Sequence, residues 1–370
     1  MSVKRNSSVE LLKLIACAVI IFSHSFPRGI PTDAMPHLID PSQATANGQI
    51  FWLIVIKYLG QVGNAVFIVS STFFLRRSYT VKTRKVFDMI QNSFLISVLF
   101  LTVLLLTGWR FPLTTIIKQF IPITMAVNWF VGCYILFYLI HPALNRVIDS
   151  LDQRALLNIC LLVLVFYCGI NFLIPGRYYY TQLIGFINIH LLVSYMEQYM
   201  PKFTASAKQN LRLLLCMFAA LLGLIWLTNF LGLRISALSG MADWFSNISN
   251  PLIIAIGICS FNLARMIQYE NRTINYLSSL TLLIYIIHAN DLIMDYVKPA
   301  FFAWVYQIGA YDQILLWCFL FGLILLIGGI GLSIVYQAIV CKLLKQVSDH
   351  IFIGMSSLWN RLLTFLISRS

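Results

Sequence analysis

The sequence has little charge, since only 11% of its 370 residues are Asp, Glu, Lys or Arg. An ordinary soluble domain has about a quarter of such residues. By contrast, 59% of the chain is hydrophobic, and these residues recur in runs of about 20, the length that crosses a bilayer. So few charges exclude most soluble folds. The composition therefore predicts an integral membrane protein.

Several chemical motifs are also missing. The eight cysteines include no C-x-x-C pair, and most of them lie singly in apolar runs, which excludes a disulfide-rich secreted scaffold. With the six histidines scattered as well, a metal site has little support. No P-loop, G-x-S-x-G or Asp-x-Asp motif is found. Because Glu10 and Lys13 interrupt the first apolar run and no A-x-A site comes directly after it, this run is expected to remain as an anchor.

The apolar runs predict an all-α polytopic bundle of about ten transmembrane helices. The predicted spans are 10–27, 50–75, 87–108, 126–145, 155–174, 179–199, 211–231, 248–266, 275–297 and 312–340. Residues 1–340 thus form one membrane domain. Residues 341–370 mix basic and large apolar side chains and are predicted to be an amphipathic tail on the inner leaflet.

The distribution of basic residues predicts the orientation of the bundle. With ten spans and the N-terminus inside, 19 of the 26 Lys and Arg residues fall on the inner side and 6 on the outer side, while Lys57 lies within the second span. This bias is what the positive-inside rule requires, so both termini are predicted to be cytoplasmic. The net charge of +13 is explained by this topology without nucleic-acid binding.

Polar residues within the first span are candidates for chemistry, because each is costly to place in lipid. Glu10 and Lys13 are three residues apart and can pair on one helix face. His24 follows Lys13 by eleven residues, or about 1100° of helix, which puts both on one face about 16 Å apart. The alternative is that Lys13 extends to the inner headgroups and His24 is simply packed.

Basic and aromatic clusters have two interpretations each. The predicted inner loop 76–86 carries Arg76, Arg84 and Lys85 with other basic residues and no acid, which suits the phosphates of an anionic substrate or anionic lipids. Trp129 and the run 178–180 fit either an interfacial aromatic belt or a platform for a sugar.

A third group of polar residues lies near the outer end of the ninth span. By helical spacing, His288, Asp291 and Asp295 share one face. Our hypothesis is that this face meets His24, with Asp291 as the carboxylate that orients the histidine in a catalytic or acceptor site. The alternative is a set of interfacial polar residues with a packed histidine.

Four segments, in order, resemble the acyltransferase-3 membrane family. They are Ser8–Ala16 with His24; Gly60-Gln61-Val62-Gly63 with Phe67, Ser71, Phe73, Phe74 and Leu75; Trp129-Phe130 with Tyr134, Tyr138, Pro142 and Asn145; and Ser279 with Tyr285-Ile286-Ile287-His288 and Asn290. The resemblance runs from residue 8 to about residue 290. Three positions depart from the family pattern: Lys13 replaces the commoner Arg, Thr72 replaces a Gly, and Asp88 follows the basic pair that begins the third span.

The resemblance implies that an acyl group, most often acetyl, moves from cytosolic acyl-CoA to a hydroxyl of a surface or exported glycan. Acyl-CoA would be a substrate, so no bound cofactor is expected. His24 would be the base that deprotonates the hydroxyl. Glu10 and Lys13 would help to place the donor, and Tyr285 and His288 belong to the matching motif. The expected location is the plasma membrane, with a bacterial host.

Two other classes remain open at this point. Buried ionisable residues such as Lys57 and His190 also occur in transporters and in flippases for lipid-linked sugars. Such proteins often show two related halves with broken helices, and no convincing repeat is found here. The membrane-bound O-acyltransferases of the other family also use a histidine in an apolar helix, but the spacing of Glu10, Lys13 and His24 argues against that assignment.

Overall fold

The computed structural model describes residues 5–26, 49–170, 181–235, 238, 245–309 and 313–367. Every regular element within these ranges is helical, which confirms the predicted all-α class. Most of the predicted outer loop 28–49, the run 178–180, and Asp243 and Asp312 lie outside the described residues.

Sixteen α-helices are described within these ranges, together with three π-helical turns. The helices are α1 Ser7–His24, α2 Gln49–Leu75, α3 Thr83–Leu106, α4 Leu113–Phe120, α5 Trp129–Ser150, α6 Gln153–Val163, α7 Gln182–Tyr199, α8 Pro201–Thr204, α9 Ala207–Arg234, α10 Pro251–Met266, α11 Arg272–Ser279, α12 Thr281–His288, α13 Lys298–Gln307, α14 Ile314–Val335, α15 Cys341–Leu343 and α16 Lys345–Ile367. The π-helical turns are Leu164–Gly169, Ile293–Val297 and Tyr336–Val340.

Six helices in the described part of the chain are long and apolar enough to cross a membrane. They are Ser7–His24, Phe51–Leu75, Thr83–Leu106, Trp129–Ser150, Ala207–Gly232 and Ile314–Leu343. These agree with six of the predicted spans to within about five residues. The apolar helices Gln153–Gly169 and Pro251–Met266 are shorter. The total of ten spans and the cytoplasmic termini therefore stay predictions.

Helices α1 and α2 pack closely in the centre of the bundle because α2 carries two small residues there. A Cβ built on Gly63 would lie 2.7 Å from the Ala16 carbonyl oxygen, and one built on Gly60 would meet the Ser23 side chain. Small residues at this spacing let membrane helices approach backbone to backbone. The pairing is antiparallel, so α1 runs from one end of the bundle, called here the Lys13 end, to the other, called the His24 end.

The family's Gly at position 72 is replaced by a threonine that fits the bundle. Thr72 is fully buried, and its hydroxyl donates to the Val69 carbonyl oxygen at 2.9 Å in the same helix. Its hydrogen-bonding capacity is thus used locally, as is common for Thr in membrane helices.

The predicted span 275–297 is not one continuous helix, because the chain there forms separate pieces. That this segment crosses the membrane stays a prediction. α11 ends at Ser279, α12 covers Thr281–His288, and a π-helical turn then leads into α13. The interruption after His288 is stabilised by Asn290, whose side-chain oxygen accepts from the Leu292 N–H at 2.9 Å and restarts the helix. A side chain that caps a helix in this way cannot be recognised from apolar periodicity.

The predicted tail is helical in the structure as α16. Its beginning is attached to α3, since Asp349 accepts a hydrogen bond from Arg84 at 2.5 Å and the ring of Phe352 lies 5.5 Å from that of Phe87. Its position on the inner leaflet stays a prediction.

Candidate active site

A cavity of about 380 Å³ opens at the His24 end of the bundle. Helix α1 contributes its last residue, α5 its first residue and the preceding turn, and the broken region after α12 contributes the remainder. The lining residues are His24, Ala126, Val127, Asn128, Trp129, Tyr285, Ala289, Asp291, Met294, Asp295, Lys298 and Pro299. The structure therefore brings several predicted site residues to one place.

His24 and His288 are in direct contact beside this cavity. Nδ1 of His24 lies 3.2 Å from Nε2 of His288, and the ring centroids are 5.2 Å apart. His288 is fully buried, and its Nδ1 lies 2.9 Å from the Ile284 carbonyl oxygen. The hypothesis that the His288 region meets His24 agrees with this geometry.

The hydrogen bonds determine the tautomer of both rings when they are neutral. A carbonyl oxygen can only accept, so Nδ1 of His288 carries the hydrogen and its Nε2 is an acceptor. Nδ1–H of His24 then donates to that acceptor. The basic lone pair of His24 is consequently on Nε2, which is the arrangement a general base requires.

Asp291 lines the cavity, but His288, and not Asp291, contacts Nδ1 of His24. The sequence hypothesis gave Asp291 the role of orienting His24, and an imidazole nitrogen makes one hydrogen bond in the ring plane. His288 occupies that position on Nδ1. Because the helix is interrupted at residues 289–290, helical spacing does not relate Asp291 to His288. A catalytic role for Asp291 stays a prediction, now as a cavity carboxylate beside Asp295.

Lys298 brings a cation to the cavity, and the sequence analysis did not single out this residue. It is 4% exposed, and its Nζ donates to the backbone oxygen of His24 at 3.2 Å. The contact ties the start of α13 to the last residue of α1. The signal available in the sequence was a lysine followed by proline and then an apolar run, which also describes an ordinary loop end.

Aromatic residues form the wall between the cavity and the interior. The Tyr285 ring lies 5.2 Å from His288 and 5.3 Å from Phe130, and the side chain is buried. Trp129 begins α5 and stacks edge-on against Phe130. Both predicted substrate-binding aromatics thus lie at the cavity.

The backbone before α5 is strained at this site. Ala126 has φ of 53°, a left-handed conformation that residues with a Cβ rarely adopt. Unfavourable backbone of this kind persists where surrounding structure imposes it, and it occurs often at functional sites.

Glu10 and Lys13 lie at the opposite end of α1, away from the cavity. The Lys13 ammonium bonds the Glu10 carboxylate at 2.9 Å, which confirms the predicted pair. Ser278 of α11 also donates to Glu10. His24 lies eleven positions after Lys13, which corresponds to about 16 Å of helix. Glu10 and Lys13 therefore cannot share a site with His24 unless a ligand spans that distance.

Two arginines of the basic cluster at the Lys13 end are paired with carboxylates of the chain itself. Arg76 pairs with Asp149, and Arg84 bonds both Asp88 at 2.8 Å and Asp349. Lys85 differs, since its ammonium bonds the Tyr134 hydroxyl at 2.9 Å and lies 4.6 Å from the centroid of the Tyr138 ring. The structure gives Arg76 and Arg84 intramolecular partners that the sequence did not reveal.

The buried His190, outside the cavity, belongs to a hydrogen-bond network that supports the fold. Nε2 of His190 lies 2.8 Å from the Asn145 side-chain oxygen, and the Asn145 amide donates to the carbonyls of Leu75 and Ser78. This network holds the turn after α2. Within the described ranges, no group of three or more His, Cys, Asp or Glu residues could hold a metal ion.

Comparison with known proteins connects this geometry to a family. No significant match was found among curated proteins or among solved structures. The acyltransferase-3 family, whose model is described as an acyltransferase domain, matches residues 6–332. The matched region contains α1, α5, α12 and every residue that lines the cavity. The chain therefore belongs to the acyltransferase-3 family of membrane acyltransferases.

Proposed function

We propose that the protein transfers an acyl group, acetyl in the simplest case, from cytosolic acyl-CoA to a hydroxyl of a cell-surface or exported glycan. The observation that carries this proposal is the His24–His288 pair, which places a basic lone pair on Nε2 of a histidine that lines a cavity. The family match supports acyl transfer. The expected location is the plasma membrane of a bacterium.

In the proposed reaction, Nε2 of His24 accepts the proton of the acceptor hydroxyl as its oxygen attacks the thioester carbonyl carbon. His288 accepts the Nδ1–H of His24 and favours the developing positive charge on that ring. The carbon–sulfur bond then breaks, and the CoA thiolate leaves with the proton held by His24. A neutral histidine suits both steps near pH 7.

The proposed donor contacts use the cations at the Lys13 end. CoA carries phosphates, which bind ammonium and guanidinium groups, and the positive-inside rule assigns this end to the cytosol. Lys85 is the strongest candidate, because its described partners are tyrosines rather than carboxylates. Arg76 and Arg84 would have to exchange their present carboxylate partners for phosphate, while Lys13 would remain close to Glu10.

The cavity is proposed to receive the acceptor glycan. Its two carboxylates, Asp291 and Asp295, can accept hydrogen bonds from sugar hydroxyls. The rings of Trp129 and Tyr285 offer apolar faces that pack against the C–H face of a sugar. This chemistry favours a carbohydrate over an apolar acceptor.

The test measures O-acyl esters on the surface polysaccharides of the host cell by proton NMR, before and after mild alkali. Cells carry the intact protein, a deletion, or His24→Ala at matched expression. We expect the ester signal to vanish in the deletion and to fall at least ~100-fold with His24→Ala, since a general base contributes between about 10² and 10⁴ in rate.

His350→Ala is the matched control, because His350 is an exposed histidine on α16 and lies outside the cavity. It should leave the ester signal unchanged. If the ester persists in the deletion while polymer export falls, the protein moves a glycan instead, and the acyl-transfer proposal is wrong.

A further inference from the structure

The first turn of α5 opens onto the cavity that contains His24. α5 has 22 residues, begins at Trp129, and has both its first residue and the preceding turn in the cavity wall. The first N–H groups of a helix have no intrahelical acceptor, and the helix dipole adds partial positive charge there. The cavity therefore faces a group of backbone donors suited to negative charge.

Asn128 adds a second, independent feature at this position. It is the N-cap residue of α5, yet its side chain makes no capping hydrogen bond. The residue is 1% exposed, and neither its amide nitrogen nor its amide oxygen has a hydrogen-bond partner among the described residues. Buried amides without partners are rare because their desolvation is not compensated. A buried amide that lines a cavity and makes no hydrogen bond to the described residues indicates that a ligand supplies the bond.

The position relative to His24 identifies the group that binds. In acyl transfer, the carbonyl oxygen of the thioester becomes an oxyanion when the acceptor attacks, and it must lie near both the base and fixed donors. His24 supplies the base in the same cavity as Asn128 and the start of α5. Asp291 and Asp295 also line the cavity, but ionised carboxylates are acceptors and cannot serve this purpose.

We infer that Asn128 and the first backbone N–H groups of α5 form the oxyanion site of the reaction, with the thioester carbonyl oxygen as ligand. This inference rests on the proposed function. As the acceptor oxygen bonds to the thioester carbon, its proton passes to His24 Nε2 and the carbonyl π electrons move to the oxygen. The Asn128 amide N–H and the α5 N–H groups donate to that O⁻. When the C=O bond re-forms, the carbon–sulfur bonding electrons leave with CoA, which takes the proton from His24.

The test uses two CoA ligands and does not need the acceptor. One is a trifluoromethyl ketone thioether of CoA, whose tetrahedral hydrate places an acidified hydroxyl oxygen where the oxyanion would form. The other is S-ethyl-CoA, which has no carbonyl on its ethyl group. Binding of each to the full-length protein in lipid nanodiscs is measured by calorimetry. Asn128→Ala should lower the affinity for the ketone by between about 100-fold and 1,000-fold, the usual effect of removing one oxyanion donor. The affinity for S-ethyl-CoA should stay within about twofold of its original value.

Two further variants keep the test informative. Asn128→Ser retains a hydroxyl donor and should recover part of the ketone affinity, which a merely structural role would not produce. Asn188→Ala is the matched control, because Asn188 is a buried asparagine of α7 with an unpartnered amide oxygen and does not line the cavity. It should leave both affinities unchanged.

The outcomes separate the inference from the proposed function. If S-ethyl-CoA and the ketone both fail to bind the unaltered protein, the acyl-CoA donor is wrong. If both bind and Asn128→Ala changes neither, or weakens both equally while Asn128→Ser restores nothing, the donor stands and the oxyanion site is wrong.

Discussion

The two ends of the helix bundle use polar residues in different ways. At the Lys13 end, charged side chains form ion pairs with one another, some within a helix and some between helices. These ion pairs are Lys13–Glu10, Arg76–Asp149, Arg84–Asp88, Arg84–Asp349 and Arg265–Glu197. At the His24 end, polar groups from α1, α5 and the region after α12 instead converge on a cavity.

The difference shows that density of charge is a poor indicator of the reactive site in this membrane protein. Ion pairs at the Lys13 end neutralise partly exposed charges within and between helices, and such pairs form whatever the function of the chain. Within the described part of the chain, the His24 end contains fewer charges, Asn128 has no hydrogen-bond partner for its side chain, and Ala126 has an unfavourable φ. Unsatisfied and strained groups are the ones a ligand can complete.

The largest expected effect comes from disturbing the contact between α2 and α1, the helix that connects the two ends. Gly63→Leu forces a side chain against the Ala16 carbonyl oxygen, which overpacks the α1–α2 interface. We expect a loss of about 3 kcal/mol in the free energy of unfolding and little folded protein after detergent extraction, measured by size-exclusion chromatography. Gly223→Leu is the control, because nothing lies within 4 Å of a Cβ at Gly223. Equal yields of both variants would mean that the α1–α2 contact is not close.

The next effect concerns the pair at the His24 end. His288→Leu removes the acceptor for Nδ1–H of His24, and we expect the rate of CoA release from acetyl-CoA, measured with a thiol reagent in membranes, to fall about 100-fold. His288→Gln can supply a carbonyl acceptor and should recover part of that rate. Equal rates for the Leu and Gln variants would contradict an orienting hydrogen bond.

A smaller effect is expected at the Lys13 end. If Lys13 contacts the donor phosphates, Lys13→Met removes a charge-assisted hydrogen bond. The affinity for S-ethyl-CoA should then fall about 10-fold. The rate at saturating donor should stay unchanged, since the base is at the other end. Lys208→Met, at an exposed lysine of α9, is the control. If Lys13→Met leaves the affinity unchanged, Lys13 does not contact the donor and serves only to pair with Glu10.

The smallest effect is expected from Asp349→Asn. The Arg84–Asp349 pair is well exposed on both sides, so its contribution to the free energy of unfolding should be below ~1 kcal/mol. Thermal unfolding should shift by a few degrees at most, and S-ethyl-CoA affinity should stay within about twofold. A clear rise in affinity would instead show that Asp349 competes with the donor for Arg84.

Local sequence features predicted a large part of the fold. Apolar runs located the six long helices because their length and composition are properties of contiguous residues. The Glu10–Lys13 pair was predictable because three residues along a helix bring side chains together whatever the rest of the chain does.

The remaining errors have a common physical cause. Asn290 interrupts the predicted ninth span through a side-chain hydrogen bond, and a capping bond does not alter hydropathy. Arg84 finds Asp349 at a distance of 265 residues along the chain, so its loop looked like an unpaired cation cluster. Both features depend on contacts that periodicity does not contain.

The sequence by itself determined that this chain is an apolar helical membrane protein with His24 at the far end of a first helix, because burial in lipid and helical spacing act locally. Only the tertiary structure decided what His24 meets. His288, 264 residues away, sets its tautomer, while Asn128 and Lys298 reach the same cavity from other helices. Hydrogen bonds act over about 3 Å, and only folding brings such distant residues that close.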